Sequence, residues 1–294
     1  MPQFDLITVS KGRLAHLRQT LPLFCRLPDV GVTLVDYGCP EHSGAWATEH
    51  CPGVRVVKVD DDPGINVSRA RNIAARQSTA DYLFFVDADI LVEPAAIAAI
   101  TAVITPDTYA TVDAEGIGDD LRGTCVVPRR HFEAVGGYDE VLKSYGMEDI
   151  ELYQRLDDHG LKDAFIAAAA FQAIPHDDAL RTRYFGVKSI GKLRLVASFY
   201  LEYVKVFRRA LKVPQLAIED REQIHAACTS LIEQLTAASD PRNGARIGMK
   251  LPHQLLAGKL GSDMDWQFEL TMTMKPKDPL AFRQRFQNPL LYRK

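Results

Sequence analysis

The chain has no C-x-x-C pair: its five cysteines, Cys25, Cys39, Cys51, Cys125 and Cys228, are odd in number and scattered. That spacing supports neither a disulfide framework nor a zinc cluster and fits a reducing compartment. No G-x-G-x-x-G occurs, which removes the main signature of a dinucleotide oxidoreductase. Long apolar runs are missing as well: the longest weakly polar stretches, Tyr82–Val92 and Ala164–Ile174, are too short to span a bilayer. Met1-Pro2-Gln3-Phe4-Asp5 has no basic segment and does not read as a secretory signal. Charge of one sign is not in excess either. Lys plus Arg number 35 against 38 Asp plus Glu, a net charge of −3, which argues against a globally basic nucleic-acid binder. There is no internal repeat and no low-complexity segment. What remains is a chain of 294 residues, 47% hydrophobic and 25% charged. Such a chain is long enough to bury a core without a disulfide or metal staple, as one large domain or two modest ones. The expected location is cytoplasmic.

To about residue 180, β-rich runs alternate with helical patterns. Phe4–Val9, Val32–Val35, Val54–Val59 and Tyr82–Val86 read as strands. Leu14–Phe24, Val67–Gln77 with Asn66 as its cap, and Pro94–Ile104 read as helices. This alternation predicts an α/β fold with a mostly parallel sheet flanked by helices. Ligands of such sheets bind beyond the carboxyl ends of the strands. Ser10, Asp36, Asp60, Asp87 and Asp89 follow strands and are the first candidates.

The apolar run Phe84-Phe85-Val86 ends in Asp87-Ala88-Asp89. Two carboxylates spaced i, i+2 past a strand can present oxygens to a hard divalent cation, which in turn can hold a diphosphate. A turn with two solvated aspartates explains the tripeptide equally well. A phosphatase of the haloacid-dehalogenase type would carry Thr two places beyond the second Asp, where Leu91 stands. A nucleotidyltransferase would carry a Gly-rich loop after the first strand, where Thr8-Val9-Ser10-Lys11-Gly12-Arg13 stands. A second signal is Tyr145-Gly146-Met147-Glu148-Asp149, after Gly136-Gly137-Tyr138-Asp139 and before a helical run with Leu152 and Leu156. An acid at a helix start is often only a cap. Beside an aromatic and glycines, a carboxylate there could instead accept the proton of an attacking alcohol. A third is His176, more often structural when alone, but a good Mn²⁺ ligand beside a D-x-D.

In this order the pieces resemble a GT-A (Rossmann-like) glycosyltransferase, nearest the family 2 enzymes and the β-1,4-galactosyltransferase and polypeptide N-acetylgalactosaminyltransferase group, over about residues 4–178. The resemblance implies a domain at 1–180, a nucleotide-sugar half followed by an acceptor half, and a mainly helical extension at 181–294. It assigns donor binding to Thr8, Ser10, Arg13, Asp36, Asp60, Arg69, Asp87 and Ala88. An Asx-type turn is an equal reading for Asp36, and Arg71 and Arg76 read equally as a solvated helix face. The resemblance gives the metal, Mn²⁺ or Mg²⁺, to Asp89 and His176. It gives acceptor binding to Tyr145, Gly146, Met147 and Glu148, and the general base to Asp149 with Glu148 beside it. Tyr145 stands where the galactosyltransferase group has Trp. Aspartate at 149, where retaining members have Asn, implies an inverting transfer. The implied reaction moves a sugar from a nucleotide-sugar, UDP-linked before GDP-linked, to a hydroxyl of a saccharide or glycolipid. Two rivals stand beside it: a catalytically silent sugar- or nucleotide-binding scaffold on the same fold, which loss of Asp89, His176 or Asp149 would mark although all three are present, and a phosphatase or nucleotidyltransferase that uses the D-x-D differently.

Beyond the resemblance, Val187–Lys212 and Ile218–Ala238 read as helices. Residues 181–212 interleave nine basic side chains with Phe185, Phe199, Tyr200, Tyr203 and Phe207. Packing of the aromatic face on the catalytic domain is the favoured reading. Peripheral contact with the inner face of the membrane is the sharper one.

Overall fold

The computed structural model describes residues 3–113, 121–143, 146–176, 180, 183–185, 190–237, 245–251 and 266–272. The chain divides into two compact units, Met1–Arg194 with Lys212–Gln215, and Leu195–Leu211 with Leu216–Lys294.

The first unit is built on a seven-stranded sheet. In chain order its elements are β1 (Phe4–Ser10), α1 (Leu14–Phe24), β2 (Val30–Asp36), α2 (Ser43–His50), β3 (Arg55–Lys58), α3 (Val67–Gln77) and β4 (Tyr82–Phe85). There follow β5 (Ile90–Val92), α4 (Ala95–Val103), β6 (Thr108–Val112), β7 (Cys125–Pro128), α5 (Arg129–Ala134), α6 (Glu148–Asp158), β8 (Lys162–Ile166) and β9 (Phe171–Ala173). The strand order is β3-β2-β1-β4-β7-β6-β8. All neighbours run parallel except β4–β7 and β6–β7. The expected mostly parallel sheet flanked by helices is therefore present.

The central strands are apolar on both faces because both are covered. Phe4 and Leu6 of β1, Leu34 of β2 and Phe84 of β4 join Leu17, Leu21, Phe24 and Ile100 in one core layer. Their neighbours Ile7, Val35, Leu83 and Phe85 point the other way, to Ala70, Ala74, Phe132, Leu152 and Leu156. Period-two alternation between two apolar layers is what reads in sequence as the continuous run Tyr82–Val86. The strand order reverses beside β1: β2 and β3 extend to one side, β4 to the other. In open α/β sheets that reversal opens a crevice at the carboxyl ends of the strands, here after Ser10 and Phe85.

Two features were not read from the sequence. A short antiparallel pair, β5 with β9, sets Ile90 opposite Ala173. In the second unit, α7 (Ile190–Leu211) and α8 (Ile218–Ala237) are followed by an antiparallel pair, β10 (Ala245–Leu251) and β11 (Trp266–Met272). Tyr200 of α7 and His225 of α8 meet edge to face with ring centres 5.5 Å apart. Among the described residues no helix is long and apolar enough to cross a membrane.

Candidate functional site

The D-x-D segment leaves β4 as a tight turn, in which the Ile90 amide donates to the Asp87 carbonyl at 3.1 Å. From α1, the Thr20 hydroxyl donates to the Ala88 carbonyl at 2.9 Å and holds the turn from below. The β5–β9 pair does the rest. Its last link, the Ile174 amide donating to the Asp89 carbonyl at 2.8 Å, lays the chain after β9 alongside the turn. His176 thus reaches Asp89 across 87 residues of sequence, with Nε2 2.6 Å from Oδ2. Both side chains are largely enclosed, 7% and 17% exposed. The Arg13 guanidinium, just before α1, lies 3.7 Å from the same Asp89 oxygen. His16, one turn into α1, stands edge-on to His176 with ring centres 5.7 Å apart. Burial and then the Arg13 charge push the His16 imidazole below its ordinary pKa.

Asp87, the other carboxylate, turns toward α3. Its Oδ1 accepts from Arg71 at 2.6 Å, and the second guanidinium nitrogen lies 3.5 Å from Glu148. Arg71 is 2% exposed and its guanidinium sits 5.0 Å from the centre of the Tyr138 ring. This corrects the reading of Arg71 as part of a solvated helix face: it is the buried centre of the site. Only Arg76, with its side chain 63% exposed, fits that description. A Cβ at Gly123 would come within 3.1 Å of Asp87 Oδ2, so Gly123 lets the backbone approach the carboxylate closely.

Glu148 and Asp149 open α6. The residues before them, Gly146 and Met147, are both left-handed, with φ of +88° and +81°. A methionine in that region is uncommon and signals a backbone held by its surroundings. Burial, then the neighbouring Asp149 charge, pushes the Glu148 carboxyl up to about 7. Burial likewise raises Asp149, against the hydrogen bond its Oδ1 accepts from the Ile150 amide at 2.8 Å. The Gly-Gly-Tyr segment is docked on α3 by one residue. Asn72 donates to the Tyr138 carbonyl and to Glu140 Oε1, each at 2.9 Å, and accepts from the Tyr138 amide at 2.8 Å.

Several polar atoms here have no hydrogen-bond partner among the described residues. Thr8 Oγ1, one Arg13 nitrogen, Arg71 Nη1, the Tyr138 hydroxyl and Glu148 Oε2 are buried without a hydrogen bond among the described residues. Buried polar atoms are normally satisfied. A cluster of exceptions at the carboxyl end of a sheet points to polar groups that a ligand supplies.

Other predicted site residues stand apart from this centre. The Ser10 and Ser43 hydroxyls share a hydrogen bond of 2.9 Å. Both Asp36 oxygens accept amides, from Cys39 and from Gly44, each at 2.8 Å. Arg69 pairs with Asp61 at 2.6 Å and donates to the Tyr37 hydroxyl at 3.2 Å. Asp60 is exposed and lines a shallow surface cleft with Asp61 and Arg69. The Ala88 side chain faces the core. Tyr145 lies outside the described residues. Lys11, Tyr37 and Tyr138 lie within motif segments of the sequence, but sequence reasoning gave none of them a role of its own.

A sequence profile described as the N-terminal domain of galactosyltransferase matches residues 120–179, the stretch that carries Tyr138, Glu148, Asp149 and His176. No curated protein matches the chain by sequence. Solved structures do match in fold. The mannosyltransferase PcManGT from Pyrobaculum calidifontis, in complex with GDP-Man and Mn²⁺, superposes with a TM-score of 0.51 at 16% identity, over 82% of this chain and 77% of that one. S. aureus TarS 1–349 in complex with UDP-GlcNAc gives 0.52 at 14% identity, over 80% and 73%. The chain has the GT-A glycosyltransferase fold.

Proposed function

We propose that this chain is a metal-dependent, inverting glycosyltransferase, moving a sugar from a nucleotide-sugar, UDP-linked by preference, to a hydroxyl of a saccharide or glycolipid. The observation that carries the reading is Arg71. Its guanidinium joins Asp87, beside the Asp89–His176 pair, to Glu148 at the head of α6. A donor-side and an acceptor-side carboxylate thereby share one buried cation.

The residues present suit a divalent cation. A carboxylate oxygen and an imidazole nitrogen converge within 2.6 Å, a donor set that accepts Mn²⁺ as readily as Mg²⁺. A donor diphosphate and water would supply further ligands. When bound at Asp89 and His176, the ion would offset charge on a departing diphosphate. Arg13, 3.7 Å from Asp89, adds a fixed positive charge at the same place.

Asp149 is assigned the general base and Glu148 the group that holds the acceptor. Their raised proton affinity, caused first by burial, suits carboxylates that must take a hydroxyl proton near neutral pH. Direct displacement with a base on the far side of the sugar inverts the anomeric centre. On this reading residues 1–180 form the catalytic domain and 181–294 an extension. The test is sugar transfer from a panel of nucleotide-sugars in the presence of Mn²⁺, with product configuration read by NMR. Asp149→Asn is expected to lose about 10²–10⁴-fold in turnover while retaining nucleotide binding. A retained anomeric configuration, or full turnover by Asp149→Asn, would contradict the assignment.

A further inference from the structure

Lys11 follows β1 and is only 7% exposed, yet among the described residues no carboxylate pairs with it. Among the described residues its Nζ makes one long hydrogen bond, 3.4 Å, to the Asp62 main-chain oxygen. An ammonium has three donors, and burying one so incompletely satisfied is costly unless something else accepts from it. What surrounds it is flat and aromatic. Nζ lies 5.6 Å from the centre of the Tyr37 ring and 5.8 Å from that of Tyr184. Tyr37 is fixed in turn, its hydroxyl donating to Asp62 at 2.7 Å. The floor is backbone. Gly12, at φ +65°, lies so close under Tyr184 that a Cβ there would fall 2.3 Å from the ring. A Cβ at Gly38 would fall 3.6 Å from Nζ.

The strand order fixes where this ammonium stands. Tyr37 and Asp62 follow β2 and β3, whereas Asp87 and Asp89 follow β4 on the other side of β1. With strands about 4.8 Å apart, the two places are separated by roughly 10–14 Å, a length that a nucleoside diphosphate covers. With its phosphates at Asp89 and Arg13, its base would arrive beside Lys11.

We propose that Lys11 reads the base of the donor nucleotide by donating to the carbonyl oxygen at C4 of uracil or C6 of guanine, the position at which cytosine and adenine carry an amino group. The site then takes keto bases, uracil or guanine, and rejects the amino bases cytosine and adenine. The inference rests on the donor-site reading above and adds a selectivity to it. Lysine is a donor only, so the amino group of cytosine or adenine would set donor against donor and leave the buried ammonium unsatisfied. Discrimination by a group that must be hydrogen-bonded is far stronger than discrimination by shape.

The test is equilibrium binding of UDP, CDP, GDP and ADP, each with Mn²⁺, to the full chain and to Lys11→Met, with thermal melts as a control for folding. The wild type is expected to bind UDP over CDP, or GDP over ADP, by at least about tenfold, the size of one charge-assisted hydrogen bond. In Lys11→Met that ratio should fall below about threefold while diphosphate-driven binding persists. Lys11→Gln, which offers an acceptor as well as a donor, should gain relative affinity for CDP or ADP, and serves if Lys11→Met does not fold. Equal weakening of all four nucleotides in Lys11→Met would place Lys11 on the phosphates and overturn the proposal. So would an unchanged preference, or equal binding of all four by the wild type, which would leave the donor site standing. Failure of every nucleotide to bind the wild type would overturn the donor site itself and this inference with it.

Discussion

Arg71, Asp87, Glu148 and Asp149 place three carboxylates around one buried guanidinium. Burial first, and neighbouring carboxylates after it, raise the proton affinity of the two acids that head α6, and one guanidinium does not offset this. The sign of its effect on stability follows directly. With Glu148 raised from 4.5 to about 7 by burial, the folded chain keeps a proton that the unfolded chain has already lost. Stability therefore falls as pH rises from 4.5 toward 7 and levels off above it. Glu148→Gln is expected to flatten that slope, read as melting temperature against pH; an unchanged slope would show that Glu148 is not the group responsible. On the proposed assignment Asp149 must be ionised to take the acceptor's proton, so turnover should rise with pH as the raised acids lose their protons. Part of this centre was legible beforehand. Asp87, Asp89, Glu148, Asp149 and His176 announce themselves because an acid after an apolar strand, an acid at a helix start and an isolated histidine are each chemically conspicuous. Arg71 does not. Ser68-Arg69-Ala70-Arg71-Asn72 is polar at four of its five positions and reads as a water-facing turn of helix. Only the arrival of Tyr138 and Glu148, 67 and 77 residues later, turns Arg71 inward.

Among the elements, α3 and the Gly-Gly-Tyr segment form the joint that brings the two halves of the site together. Gly137 has φ +70°, and a Cβ there would fall 2.5 Å from Asn72 Oδ1. Gly137→Ala therefore combines a strained backbone with a displaced hydrogen-bond acceptor, an expected loss of about 2–4 kcal/mol. Asn72→Ala leaves the Tyr138 amide and carbonyl unpaired inside the protein, with an expected loss of about 2–3 kcal/mol. Denaturant unfolding of both variants checks this, and a loss below about 0.5 kcal/mol in either would deny the joint its structural role. The sequence shows a Gly-Gly-Tyr and an Arg-Asn, but a contact between them depends on which strands become neighbours. The same holds for β5 and β9. Each is only three residues long, too short for a periodic signal, yet their pairing is what delivers His176 to Asp89.

For the whole molecule, the doubly covered sheet is the feature that spoke most clearly in the sequence, since strands buried on both faces need uninterrupted apolar runs. Phe84, fully buried on β4 next to the D-x-D, couples that core to the site. Phe84→Ala is expected to cost about 3–5 kcal/mol and to lower the melting temperature by roughly 6–20 °C; a shift of only a degree or two would mean that this layer is not close-packed. The second unit was legible only as two helices. Its strand pair, β10 with β11, went unread because residues 240–294 mix Pro, Gly and polar residues without a clear period. The claim on which the rest depends is that the carboxyl end of the sheet binds a nucleotide through Asp89 and His176 together with a divalent cation. Calorimetric titration of UDP and of GDP, with and without Mn²⁺, into wild type and Asp89→Ala tests it most directly. The account predicts that one of the two binds in the presence of Mn²⁺, weakly or not at all without it, and that Asp89→Ala abolishes the metal-dependent part. Binding that is indifferent to both metal and mutation, or no binding under any condition, would contradict it.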